Sequence, residues 1–245
     1  METNTKAVFI TGASSGIGRQ LAEDYATQGY DVFACGRSIL KLEELKASRD
    51  NIHLLSFDVT NKDDVDLAIR SLPTMPALWI INAGDCEYVD DGQLDSNVLK
   101  RVFDVNVFGV VHVLESIQSH LTPEHHIVVV GSIASELALP RAEAYGASKA
   151  AVSYLVRTLQ LDWQANGALV TCVYPGFVRT PLTDKNDFDM PMMIEVEEAS
   201  NSIRKGIEAK QSHIYFPTKF VSIIRLIALL PYRWQRYLVN KMVNR

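Results

Sequence analysis

Ala7-Val8-Phe9-Ile10-Thr11-Gly12-Ala13-Ser14-Ser15-Gly16-Ile17-Gly18 decides the fold of this chain. The first four residues are apolar and read as a buried strand. The next eight form a glycine-rich turn that opens the helical stretch Gly16–Gln28. Glycines at such a junction permit a tight turn and let the backbone approach a pyrophosphate, which the helix N-terminus favours electrostatically. Gly12, Ser14, Ser15, Gly16, Ile17 and Gly18 are therefore expected to line a nucleotide site. A glycine-rich turn alone can be no more than a connection. Its place between the first strand and the first helix favours the nucleotide.

The same alternation continues along the chain. Asp31–Cys35, Ile52–Phe57, Leu78–Ile81, Ile127–Val130 and Leu169–Tyr174 are nearly continuous apolar runs, as expected of strands covered by helices on both faces. Helical stretches such as Ile39–Ser48 and Lys62–Leu72 lie between them, and a seventh strand is expected near Ser212–Phe216. The pattern predicts an α/β, doubly wound Rossmann fold with its ligands beyond the carboxyl ends of a parallel sheet. With 245 residues, 47% of them hydrophobic, and no Gly/Ser- or Pro-rich linker, one catalytic domain over residues 1–217 is expected. Residues 218–245 then form an amphipathic, basic C-terminal extension.

Polar residues gather where that rule places a ligand. The second strand ends in Cys35-Gly36-Arg37-Ser38, with no acid to bind ribose hydroxyls and repel a 2′-phosphate. Arg37 can pair with such a phosphate, which selects NADP(H) over NAD(H), and Arg19 can add charge. The bland alternative for Arg37 is a solvated loop residue. Other strand ends carry Asp58-Val59, Asn82-Ala83-Gly84, Gly131-Ser132 and Pro175-Gly176. Any one of these could be ordinary turn chemistry, but their shared placement argues for a site.

Tyr145-Gly146-Ala147-Ser148-Lys149, with Ser132 thirteen residues upstream, supplies side chains that can move a proton to or from a carbonyl oxygen. Residues four apart share a helical face, so Lys149 is expected to sit beneath the Tyr145 phenol and lower a pKa normally near about 10. Two other Tyr-x-x-x-Lys matches are weaker. Tyr215/Lys219 is interrupted by Pro217, and Tyr237/Lys241 has no serine thirteen residues upstream.

Taken together, these motifs resemble the short-chain dehydrogenase/reductase family over roughly residues 6–216. The resemblance implies a seven-stranded parallel sheet, Tyr145 as acid/base and Ser132 orienting the substrate oxygen. It implies that Lys149 holds the nicotinamide ribose and that Asn106 supports a proton-relay water. Asp58 and Val59 would flank the adenine, and Asn82, Ala83 and Gly84 would pass beside the adenosine ribose. Val178 and Thr180, in the segment Pro175-Gly176-Phe177-Val178-Arg179-Thr180, would position the carboxamide. The family pattern departs only at Ile81, where many members carry a second Asn. A non-catalytic dinucleotide sensor of the same fold is the competing reading, and retention of both Tyr145 and Lys149 speaks against it.

Composition limits the partners. The net charge is −5, but residues 211–245 contain six Lys/Arg and no Asp or Glu, leaving 18 basic against 29 acidic residues in the first 210. An acidic body is not expected to bind nucleic acid. No metal is expected: HExxH is absent, and His125-His126 are expected on a solvated turn. Three widely spaced cysteines suit a reducing compartment, and the polar Met1–Thr5 start shows no secretory signal. A cytoplasmic homo-oligomer is expected. Its substrate is expected to be a small hydrophobic ketone or aldehyde, or the corresponding alcohol, with an acyl thioester or a steroid as alternatives. Phe188, Met190, Met192 and Met193 line an adaptable apolar pocket or pack the next helix. The apolar arc of Phe220, Ile223, Ile224, Ile227 and Leu230, with basic and aromatic neighbours, reads as a peripheral membrane contact at an inner membrane face, as a lid, as a subunit contact, or as packing against the body of the same chain.

Overall fold

The computed structural model describes residues 3–47 and 49–243. Seven strands form one parallel sheet: β1 (Thr3–Thr11), β2 (Asp31–Gly36), β3 (Ile52–Ser56), β4 (Met75–Ile81), β5 (His126–Val130), β6 (Leu169–Pro175) and β7 (His213–Phe216). Their order is β3-β2-β1-β4-β5-β6-β7. The chain winds outward in one direction from β1 and in the other from β4, so a crevice opens between these two at the carboxyl ends of the strands.

Continuous apolar runs become strands because both faces of the sheet are covered. In β1, Ala7 and Phe9 enter one core while Val8 and Ile10 enter the other. Trp79 and Ile81 of β4 join the first core, and Leu78 and Ile80 join the second. Each strand therefore buries successive side chains on opposite sides. β1 and β4 begin three or four residues earlier than expected. The polar Thr3 and Asn4 of β1 pair with Met75 and Pro76 of β4 at the far end of the sheet. A proline at a strand's start removes no ladder bond that the strand needs.

Three helices, α1 (Gly16–Thr27), α2 (Ile39–Lys46) and α3 (Lys62–Arg70), follow the first three strands. The expected end of α2 at Ser48 lies outside the described residues. Asn61 caps α3, its side-chain oxygen accepting from the N–H groups of Asp63 and Asp64. After β4, α4 (Ser96–Phe103) and α5 (Gly109–Ile117) are joined by a π-turn over Asp104–Phe108. The chain then continues through α6 (Glu143–Asp162), α7 (Val196–Glu208), α8 (Thr218–Ala228) and α9 (Tyr232–Val243).

The placement of His125 and His126 is a correction. His125 is buried and its Nδ1 accepts from the Thr122 N–H at 3.0 Å. His126 opens β5, and its Nε2 bonds the Thr171 hydroxyl at 2.7 Å. That hydroxyl itself donates to the Gln211 carbonyl. Burial draws the His126 pKa down to about 4, so the ring is neutral. Pairing of His126 with Leu78 and Leu169 extends the strand by one residue and leaves the ring partly buried.

Candidate active site

The glycine-rich turn packs so tightly on the end of β4 that side chains are excluded. A Cβ on Gly18 would stand 2.3 Å from the Gly12 carbonyl oxygen and 2.5 Å from Asn82 Nδ2. Gly12 has φ +69°, and a Cβ there would meet Ala83 Cα at 2.9 Å. Thr11 fastens the two strand ends, its hydroxyl oxygen accepting from the N–H groups of Asn82 and Ala83 at 2.9 and 3.0 Å. Asn82 Nδ2 returns a bond to the Thr11 carbonyl at 3.1 Å. Ser14 lies against Gly36, and Ala13 N–H donates to the Cys35 carbonyl, closing the turn onto β2. Ser15 is the N-cap residue of α1 but makes no side-chain cap bond. Ile17 packs on the core beneath.

Arg37 follows β2 with its side chain 68% exposed and Nη1 3.8 Å from Asp58 Oδ2. The other oxygen of Asp58 accepts from the Thr60 N–H and hydroxyl, both at 2.9 Å. Val59 lies against Gly109 of α5, and its carbonyl oxygen bonds His112 Nδ1 at 2.8 Å. Arg19 does not add free charge as expected. It pairs with Glu23 at 3.0 Å and with Glu44 at 3.6 Å.

Across the crevice, α6 presents Tyr145 and Lys149, and the end of β5 presents Ser132. Lys149 is buried, and its Nζ donates to the Val130 carbonyl at 2.9 Å. That nitrogen lies 5.9 Å from the centroid of the half-buried Tyr145 ring. Ser132 is buried, and its Oγ accepts from the Ala134 N–H at 3.1 Å. Burial pushes the phenol up to about 12, with the Ser132 hydroxyl pulling the other way. Burial also draws the ammonium down to about 8. The expected lowering of the tyrosine by its lysine is therefore absent here. Desolvation disfavours the charged form of each, and the ammonium is committed to a backbone carbonyl beneath the ring.

Asn106 sits fully buried in the π-turn. Its Oδ1 accepts from the Asp85 N–H at 2.7 Å, and its Nδ2 donates to the Asp85 carbonyl and to Ser148 Oγ at 2.8 and 2.9 Å. Ser148 passes its own proton to the Tyr145 carbonyl at 2.7 Å. Gly84 lies between the Asn106 amide and the Lys149 ammonium; a Cβ there would come within 3.2 Å of one and 3.5 Å of the other. The roles of Ser148 and Asp85 were not expected. The one available signal was the position of Ser148, three residues after Tyr145 on the same helical face.

The far wall comes from β6 and the loop after it. Gly176 N–H donates to the Phe216 carbonyl at 2.7 Å, which fixes the Pro175-Gly176 turn. Val178 is buried and bridges to Ile194. Thr180 reaches across to Gly16, whose Cβ would lie 3.1 Å from the threonine methyl. Phe188 meets Tyr88 edge-on at 5.7 Å and Phe177 at 6.1 Å, so it belongs to the wall. Met192 instead faces solvent, whereas Met193 is half-buried and Met190 sulfur lies 3.1 Å from Asn186 Nδ2. The acidic stretch of this loop is pinned. Tyr88 donates to Asn186 Oδ1 at 2.8 Å, and Arg141 bridges Asp187 and Asp90 while lying over the Tyr88 ring.

These residues fit a dinucleotide. The glycine cradle leaves room for backbone approach, and among the described residues Lys149 Nζ has one acceptor, leaving its other N–H groups for ribose hydroxyls. A separate cleft of about 500 Å³ opens at the opposite end of the sheet beside Thr3 and Met75. Its Lys62, Asp66 and Ser116 bond one another.

The sequence matches the family described as short chain dehydrogenase over residues 6–190. It is 33% identical over 239 residues to an uncharacterised oxidoreductase of Myxococcus xanthus, covering 94% of each chain. A sulfoacetaldehyde reductase of Chromohalobacter salexigens is 35% identical over 189 residues, 73% of this chain and 75% of that one. In fold, the chain is similar to a short chain dehydrogenase from Burkholderia cenocepacia solved with NADP. The TM-score is 0.85 at 22% identity, covering 98% of this chain and 99% of that one. A Burkholderia phymatum protein solved with NAD gives a TM-score of 0.81 at 23% identity, covering 92% and 94%.

Proposed function

The chain belongs to the short chain dehydrogenase family, and from that premise we propose that it interconverts a hydrophobic ketone or aldehyde and its alcohol with NADP(H) as the partner. The observation that carries this reading is the convergence of Ser132, Tyr145 and Lys149 opposite the glycine-rich turn, at the carboxyl ends of β1, β4 and β5.

When bound, the nicotinamide supplies or accepts the hydride; the residues of this chain bind, orient and move one proton. In reduction, Tyr145 gives its phenolic proton to the carbonyl oxygen as that oxygen gains charge. Ser132 donates a hydrogen bond to the same oxygen and lowers the cost of the developing alkoxide. Lys149 holds ribose hydroxyls with its unpaired N–H groups and places positive charge beneath the phenol. In this reading Asn106 supports the relay water, while both of its side-chain N–H groups hold Asp85 and Ser148. In the oxidative direction each proton step reverses.

Arg37 supports NADP(H) because its exposed guanidinium stands at the end of β2, where a 2′-phosphate would be recognised. Asp58, Val59 and Asn82 to Gly84 flank the adenosine half in this reading. Val178 and Thr180 hold the carboxamide. An uncharged substrate fits the mouth because Arg141 is already neutralised by Asp90 and Asp187. Tyr88, Phe177 and Phe188 give that mouth aromatic walls. Assembly with a second copy is part of the proposal, through the exposed Phe108, Tyr154 and Leu161.

The test is NADPH consumption with a panel of neutral apolar carbonyls beside anionic ones such as sulfoacetaldehyde. Turnover concentrated on the neutral members is expected. NADPH binding without turnover of any carbonyl would favour a dinucleotide sensor.

A further inference from the structure

The two C-terminal helices have opposite surfaces. Phe220, Val221, Ile224 and Ile227 of α8, with Val239 of α9, pack on Ile133 and Leu137 beside the site. Phe220 fills the space that the missing side chain of Gly176 leaves open. Three residues of the apolar arc expected to face a membrane (Phe220, Ile224 and Ile227) are thus internal. Their burial satisfies the fold and leaves a different set outside.

That outer set is large. Ile223, Leu226, Leu229, Leu230, Tyr232 and Trp234 are all exposed, and Leu229 and Tyr232 reach 83% and 87%. Leu229 and Leu230 lie in the turn between α8 and α9 and Tyr232 opens α9, so Leu229 and Tyr232 form a largely exposed apolar tip. The same two helices carry Arg225, which stacks on the Tyr215 ring, and the exposed Arg233, Arg236 and Lys241, in a segment without a single acidic residue. Trp234 and Tyr237 meet edge-on at 6.3 Å, both half in solvent. Among the described residues no helix is long and apolar enough to cross a membrane.

We propose that the α8–α9 hairpin is a docking surface for an anionic lipid bilayer. Its leucines and Tyr232 enter the boundary between headgroups and acyl chains, and Arg233, Arg236 and Lys241 bind the lipid phosphates. Charge decides between this occupant and a second copy. A two-fold contact through the tip would set arginines against arginines, whereas a bilayer supplies hydrocarbon for the tip and anions for its rim together. The remainder of the chain, with 18 basic against 29 acidic residues in its first 210, is repelled by the same surface. The hairpin therefore fixes the orientation. Because α8 packs on Ile133 and Phe177, docking brings the substrate mouth near the bilayer.

The experiment is co-sedimentation of the full chain with vesicles of phosphatidylcholine alone and of phosphatidylcholine with an equal amount of phosphatidylglycerol. Wild type, Leu229→Ser/Tyr232→Ser and Arg233→Ala/Arg236→Ala are compared, with NADPH binding in solution as the control for folding. The wild type is expected to bind the anionic vesicles in a salt-sensitive manner. Either double variant should lose at least about tenfold in partitioning while keeping its NADPH affinity. Failure of the wild type to bind would overturn the proposal, as would undiminished binding by both variants. A concentration-dependent dimer that Leu229→Ser/Tyr232→Ser dissociates, without vesicle binding, would assign the tip to a second copy and overturn it equally.

Discussion

The Lys149 ammonium lies 5.9 Å from the centroid of the Tyr145 ring and is anchored by a 2.9 Å bond to the Val130 carbonyl. It is committed to that carbonyl with the Tyr145 ring beside it. Burial governs both groups, raising the tyrosine to about 12 and lowering the lysine to about 8. Between those values Tyr145 keeps its proton while Lys149 loses its charge.

That ordering predicts how carbonyl reduction depends on pH. Tyr145 is a competent acid throughout the neutral range because its pKa lies well above it. Lys149 is cationic below pH about 8 and neutral above. Turnover should therefore be level on the acid side and fall about tenfold per unit above pH about 8, as the positive charge beneath the phenol disappears. A kcat profile measured with a neutral carbonyl checks this. A profile level to about pH 10, the ordinary range of lysine, would show that burial does not tune the group.

Arg37→Ala should weaken NADPH binding and leave NADH binding nearly unchanged. The guanidinium is largely exposed and its nearest acid, Asp58, stands 3.8 Å away, so it is available to a phosphate. Loss of a charge-assisted bond costs roughly 1.5–3 kcal/mol, or about ten- to a hundredfold in affinity. Titration with each cofactor by fluorescence measures the difference. Equal losses for both would remove Arg37 from the phosphate site.

Gly18→Ala should abolish dinucleotide binding and destabilise the chain. The added methyl would stand 2.3 Å from a backbone oxygen and 2.5 Å from the Asn82 amide. Neither can withdraw, since Asn82 is tied to Thr11. Overpacking of this kind costs roughly 1–3 kcal/mol, readable as a lowered melting temperature. Gly29→Ala is the comparison: it has φ +79° but nothing within 4 Å, so it should cost stability alone.

The fold was legible because both faces of the sheet are covered, which leaves Ala7–Ile10 and Ile127–Val130 as unbroken apolar runs that only a parallel strand explains. The glycine turn and the Tyr145/Lys149 spacing were legible because backbone geometry demands those residues locally. What escaped depends on contacts between distant segments. The π-turn that carries Asn106 leaves no mark on helical periodicity, and the bond from Asn106 to Ser148 joins residues 42 positions apart. Arg19 looked free until Glu44 of the neighbouring helix was placed beside it. Which leucines of the tail face outward likewise follows from the gap beside Gly176 and not from the helix's own pattern.

The most direct test of the proton-transfer site is turnover by Tyr145→Phe. The ring and its packing remain, and only the transferable proton is removed. On a carbonyl that the wild type reduces, kcat should fall by about 10²–10⁴ with NADPH affinity unchanged, while Tyr237→Phe on the exposed face of α9 keeps full activity. Tyr145→Phe turning over at the wild-type rate would contradict the assignment of the reaction to this site.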